Sequence, residues 1–183
     1  MRNSSLHICA LIPTYNNANT ILDVVRRTRK QLKDIIVVVD GCTDNTLDLL
    51  QELEFPITIV SYPKNKGKGH ALKKGFRKAI ELGFEYALTI DSDGQHYPED
   101  IPLLIDAIKK HPGSMIIGSR KLTSENVPGK NKFANKFSNF WFRLQTHINL
   151  PDTQTGFRIY PLNKLYGLSL LTSRYEAELL LLV

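Results

Sequence analysis

The chain has 183 residues, 42% of them hydrophobic and 23% charged, with a net charge of +6. That is the size and composition of one ordinary domain with a substantial core, and it excludes a chain that is disordered throughout. No apolar run approaches the roughly 18–20 residues that span a bilayer, the N-terminus lacks a signal peptide's apolar stretch, and Cys9 and Cys42 have no metal-binding spacing, so a cytoplasmic protein with reduced thiols is expected.

Short apolar runs alternate with helical periodicity along the first two thirds. A strand is predicted at Leu6 to Ile12, followed by a helix whose inward stripe is Ile21, Leu22, Val25 and Leu32. A second strand, Ile35 to Val39, runs into Asp40-Gly41-Cys42-Thr43-Asp44-Asn45-Thr46, where Thr43 and Asp44 suit helix capping and Asp40, nearer the strand end, suits ligand contact. After a third strand at Ile57 to Val60, Gly67 and Gly69 shape a turn into a helix carrying Ala71, Leu72, Phe76, Ala79 and Ile80 and ending at Gly83. The fourth strand, Tyr86 to Ile90, leads directly into Asp91-Ser92-Asp93-Gly94-Gln95-His96-Tyr97-Pro98; a helix from Pro98 then turns Ile101, Leu104, Ile105 and Ile108 inward, before a strand at Met115 to Gly118. The alternation predicts an α/β fold, a mostly parallel sheet with helices on both faces.

Beyond Gly118 the rhythm stops. Phe133, Phe137, Phe140, Trp141, Leu144 and Ile148 recur at helical steps, giving an aromatic face that packs on the sheet or lines a groove for a lipid chain. A further strand is expected at Gly156 to Tyr160 and a helix near Leu162 to Leu171. The chain ends in apolar sequence, Leu179 to Val183, without a cap, which reads as a cut inside a helix: residues 1–183 are expected to be one catalytic domain of a longer protein. Charge is uneven, with seven basic and no acidic residues between Pro63 and Lys78, and six basic residues against only Glu125 between Arg120 and Arg143. Such clusters serve anionic partners or, as on the helix holding Lys73, Lys74, Arg77 and Lys78, simply a solvated face.

Asp91 and Asp93 lie two apart just past a strand, where ligands bind in open α/β sheets, and can share one hard cation if the chain turns at Gly94. Two turn-forming aspartates are the competing reading. An EF-hand is excluded, because its twelfth position, which needs Glu, would be Pro102. A haloacid-dehalogenase-type phosphatase carries a similar Asp-x-Asp, but near its first strand. No Walker loop occurs, and in Gly67-Lys68-Gly69 the third glycine of a dinucleotide fingerprint would fall at Leu72.

Taken together, Ile12-Pro13-Thr14-Tyr15-Asn16-Asn17, Val39 to Thr46, Asn65 to Leu72 and Asp91-x-Asp93 resemble the sequential motifs of family 2 glycosyltransferases. The resemblance implies a GT-A fold, an NDP-sugar donor (UDP or GDP), a divalent metal (Mg²⁺ or Mn²⁺) and inversion at the anomeric carbon. Asp91 to Pro98, Gly118-Ser119-Arg120 and Asp152 to Arg158 further resemble the polyprenyl-phosphate sugar transferases, the dolichyl-phosphate mannose synthase type. By that resemblance Pro13, Thr14, Tyr15 and Asn16, with Asp40, Lys68, Asp91 and Ser92, contact the nucleotide sugar, and Asp91, Asp93 and Gln95 hold the metal. Arg120, Lys130, Lys132 and Lys136 grip an acceptor phosphate, so the basic windows are directed to lipid phosphate at a membrane surface and not to nucleic acid. The chain departs from many relatives in having Val39 where they have a first Asp, leaving Asp40 alone as the base contact. Asp93 and Arg120 are the expected catalytic groups. Asp152 joins them as general base if the acceptor is a sugar hydroxyl; a phosphate, mostly dianionic at neutral pH, needs none. His96 is expected only behind the metal residues. A module that binds nucleotide sugar without turnover is the alternative of another class.

Overall fold

The computed structural model describes residues 6–118 and 155–165. Arg120, Lys130, Lys132, Lys136, Asp152 and the aromatic helix expected between Phe133 and Ile148 lie outside the described residues. Among the described residues six strands form one sheet: β1 (Ile8–Thr14), β2 (Ile35–Asp40), β3 (Thr58–Tyr62), β4 (Tyr86–Thr89), β5 (Ile116–Ile117) and β6 (Arg158–Pro161), in the order β3-β2-β1-β4-β6-β5. The first four are parallel, and β6 runs antiparallel to both β4 and β5. Four helices connect them: α1 (Ile21–Gln31), α2 (Thr46–Gln51), α3 (Lys68–Glu81) and α4 (Ile101–Lys110).

Strand side chains alternate between two cores. Ile8, Ala10 and Ile12 of β1, with Val37, Leu88 and Ile159, pack under Ile21, Val24 and Val25 of α1, Leu50 of α2 and Ile101, Leu104 and Ile108 of α4. Cys9, Leu11, Ile36, Val38, Ala87 and Tyr160 face Ala71, Leu72, Phe76 and Ala79 of α3 on the other side. Gly75 lets α3 lie close on the sheet, since a Cβ there would overlap Leu11. In α1 the buried stripe uses Val24 and Thr28, with Leu22 only half-buried. β3 is likewise half-exposed, because it forms the sheet edge. The helix expected at Pro98 begins as a 3₁₀ turn, Pro98–Asp100, and becomes α-helical at Ile101.

The order of strands reverses at β1, with β2 and β3 to one side and β4 to the other. Ligands of such sheets bind beyond the carboxyl ends of the strands at this switch. Pairing of Thr14 with Val39 and of Leu11 with Thr89 brings the ends of β1, β2 and β4, and so Thr14, Asp40 and Asp91, to one edge.

Candidate active site

Asp91 stands where three elements meet. The Ile90 amide still donates to the Leu11 carbonyl at 3.1 Å, so the strand course continues to the residue before the carboxylate. On one side Lys68, first residue of α3, sets its Nζ 2.6 Å from Asp91 Oδ1. On the other, His96 Nε2 lies 3.5 Å from Oδ2. Gly156, just before β6, closes the third side, and a Cβ there would overlap both carboxylate oxygens. Burial opposes ionisation of Asp91, but the His96 contact and the Lys68 charge outweigh it and hold its carboxyl well below the usual carboxylate range.

The surrounding residues keep these three sides in register. His96 is buried and stacks on Phe157 with ring centroids 5.5 Å apart. Thr89 Oγ1 donates to the Gly156 carbonyl at 2.7 Å, pinning the segment before β6 against β4. Buried Ser92 accepts at Oγ from Asn17 Nδ2 at 2.9 Å, and its carbonyl accepts from Thr20 Oγ1 at 2.6 Å, joining this loop to the start of α1. Asp93 is exposed, and its Oδ1 accepts from the Gln95 amide at 3.0 Å across Gly94, whose φ is +77°. Asp93 is therefore a turn residue, yet that turn commits only one of its oxygens.

The ends of β1 and β2 are tied in another way. Asn16, in the left-handed region at φ 52°, accepts at Oδ1 from the Thr43 amide at 2.8 Å and donates from Nδ2 to Thr43 Oγ1 at 3.1 Å. Asp44 accepts from the Thr46 amide at 3.1 Å in a turn that leads into α2, whose N-cap is Asn45, and also accepts from the Ala18 amide at 3.2 Å; Thr43 serves Asn16 instead of the helix. Asp40 is 3% exposed, and its two oxygens accept from the Lys66 and Gly67 amides at 2.8 and 2.9 Å. Gly41, at φ +64°, passes so close to the Lys64 and Asn65 backbone that no side chain fits. Burial and the neighbouring Asp40 carboxylate push the Tyr62 hydroxyl above its ordinary range.

Of the residues singled out in the sequence, Asp91, Ser92, Asp93, Gln95 and Lys68 share one corner. Pro13 and Thr14 are buried at the end of β1, and Tyr15 and Asn16 lie exposed just beyond it. Sequence reasoning assigned no role to Gly156, Phe157 or Thr89 and underweighted His96. The signal available was a Gly-aromatic pair immediately before a strand, which carries meaning only once that strand is known to lie beside β4.

This is the architecture of a GT-A glycosyltransferase. Residues 9–166 match the family model described as Glycosyl transferase family 2, and the chain belongs to that family. It is 34% identical over 190 residues to the UDP-N-acetylglucosamine–dolichyl-phosphate N-acetylglucosaminyltransferase of Methanococcus voltae, a match covering 92% of this chain and 76% of the relative. It is 30% identical over 173 residues to the undecaprenyl-phosphate mannosyltransferase of Micrococcus luteus, covering 90% of this chain and 70% of the relative. Among solved structures, glucosyl-3-phosphoglycerate synthase from Mycobacterium tuberculosis in complex with Mn²⁺, UDP and phosphoglyceric acid shares the fold, with a TM-score of 0.74 at 19% identity; the match covers 96% of this chain but only 62% of that one. Family membership sets the phosphatase reading aside.

Proposed function

We propose that the protein transfers a sugar from a UDP- or GDP-sugar to a polyprenyl phosphate, with inversion at the anomeric carbon, while lying peripherally at the cytoplasmic face of a membrane. The observation that carries the reading is Asp91, a carboxylate at the switch of the sheet with Asp93 beside it and Lys68 against it. The relatives from Methanococcus voltae and Micrococcus luteus, whose names specify polyprenyl-phosphate acceptors, support the acceptor class.

The residues fit a divalent cation such as Mg²⁺ or Mn²⁺. Among the described residues no three His, Cys, Asp or Glu side chains gather around one point, but such ions commonly take only one or two carboxylates, with substrate phosphates and water completing the shell. Asp91 and Asp93, with the Gln95 amide oxygen, would hold it. When bound, it supplies positive charge to the leaving diphosphate.

Lys68, on the first turn of α3, adds a second positive charge on the diphosphate side. Pro13, Thr14, Tyr15, Asn16, Asp40 and Ser92 form the nucleotide side of the crevice. Arg120, Lys130, Lys132 and Lys136 hold the acceptor phosphate, whose dianion attacks without a base. Among the described residues no helix is long and apolar enough to cross a membrane.

Calorimetric titration of UDP and GDP with Mn²⁺ and then with EDTA tests the donor site, and transfer of radiolabelled sugar into a lipid extract tests the reaction. Arg120→Ala should abolish transfer while sparing metal-dependent nucleotide binding, and unchanged turnover removes Arg120 from the reaction. Transfer that survives Asp152→Asn supports the phosphate acceptor, whereas its loss favours a hydroxyl acceptor with Asp152 as base.

A further inference from the structure

We infer that Lys68 is a built-in counterion of Asp91 that competes with the divalent cation for Oδ1, and that the donor diphosphate relieves this competition by drawing the ammonium away. Metal and nucleotide then bind cooperatively. The inference rests on the reading of Asp91 as a cation ligand and goes beyond it in giving Lys68 a role before the donor arrives.

Three features of the corner lead to it. Lys68 Nζ and Asp91 Oδ1 are 2.6 Å apart, with their side chains only 22% and 21% exposed, so solvent screens the pair weakly. The carboxylate cannot turn its other oxygen outward without loss, because Oδ2 faces His96 and the Gly156 backbone abuts both oxygens. An ammonium and a divalent cation on this one carboxylate would therefore repel each other at close range.

A route of relief is built into the same element. Lys68 opens α3 directly after Gly67, at φ 90°, so its stem starts at the edge of the crevice and swings about a helix terminus. A diphosphate reaching this edge offers the flexible lysine stem a more highly charged anionic partner than a single carboxylate. Because coupling between two ligands is reciprocal, the nucleotide should raise metal affinity by the same factor as the metal raises nucleotide affinity.

The test is Mn²⁺ binding, read as loss of the free-ion electron paramagnetic resonance signal, with and without UDP or GDP. The proteins are wild type, Lys68→Gln, Lys68→Met, Lys68→Arg and Asp91→Asn, each checked for folding by thermal unfolding. Without nucleotide, Lys68→Gln and Lys68→Met should tighten Mn²⁺ binding about tenfold, while Lys68→Arg, which keeps the charge, stays near wild type. The enhancement by nucleotide should shrink correspondingly in the two neutral variants. Unchanged or weaker nucleotide-free binding in both neutral variants, with binding abolished in Asp91→Asn, overturns the counterion role and leaves Asp91 a ligand. Binding that Asp91→Asn does not alter overturns the role of Asp91 and this inference with it.

Discussion

The loops after β2 and β4 each place an aspartate at the end of a buried strand, and they satisfy it with different kinds of partner. Asp40 accepts from two main-chain amides, those of Lys66 and Gly67, and so fastens the loop that leads into α3. Asp91 faces the side chains of Lys68 and His96. Main-chain amides inside a folded loop cannot leave without disturbing the loop, whereas a lysine stem can move at little cost. A carboxylate saturated by scaffold amides is thus mainly a structural tie, and one balanced by side chains can exchange its partners for a ligand.

The most severe test of this contrast is Asp91→Asn. It should lower sugar transfer by about 10²–10³-fold, as for loss of a group that stabilises developing charge, and remove metal-dependent nucleotide binding while circular dichroism shows the fold intact. Asp40→Ala should act first on stability, in addition to any loss of the nucleotide contact proposed for Asp40. Leaving two buried amides without a charged acceptor costs about 3 kcal/mol, measurable by urea unfolding. If Asp40→Ala keeps its stability and loses nucleotide binding, the contrast fails and Asp40 is chiefly a base contact.

Gly156→Ala probes how tightly the Asp91 corner is closed. The added Cβ meets both carboxylate oxygens, so Mn²⁺ affinity and turnover should each fall about tenfold, with a loss of stability of about 1–3 kcal/mol from overpacking. A wild-type-like Gly156→Ala protein would show that the carboxylate has room to move.

The smallest effect is in pH. Because Asp91 is held below its ordinary carboxylate range, the unfolded chain binds its proton more readily than the folded one. Its contribution to stability is therefore complete above about pH 4, the unfolded value, and declines as pH falls below that. Wild type should lose stability in this acid window more steeply than Asp91→Asn, as read from denaturant midpoints; parallel slopes would refute the assignment.

How much of this was legible in the sequence depends on the range of the interactions. β1, β2 and β4 were readable because strands buried on both faces leave almost uninterrupted apolar runs, and Asp40 and Asp91 were readable because they end those runs. β3 and β5 were harder, since edge strands are short or half-exposed and carry a weaker pattern. The antiparallel course of β6 could not be read at all, because alternation along a strand is the same in either direction. Thr43 misled for a related reason: capping chemistry is local and visible, while its partner Asn16 lies 27 residues away.

Residue order alone established the α/β alternation, the strand ends that bear chemistry, the excess of positive charge leading into and along α3 and the resemblance to family 2 glycosyltransferases, all properties carried by neighbouring residues. Tertiary structure decided which carboxylate ties a loop and which faces a movable lysine, and it brought Lys68, His96 and Gly156 around Asp91. Those relations come from the β3-β2-β1-β4-β6-β5 order of the sheet, which sets α3, the β4 loop and the start of β6 side by side although they are far apart along the chain.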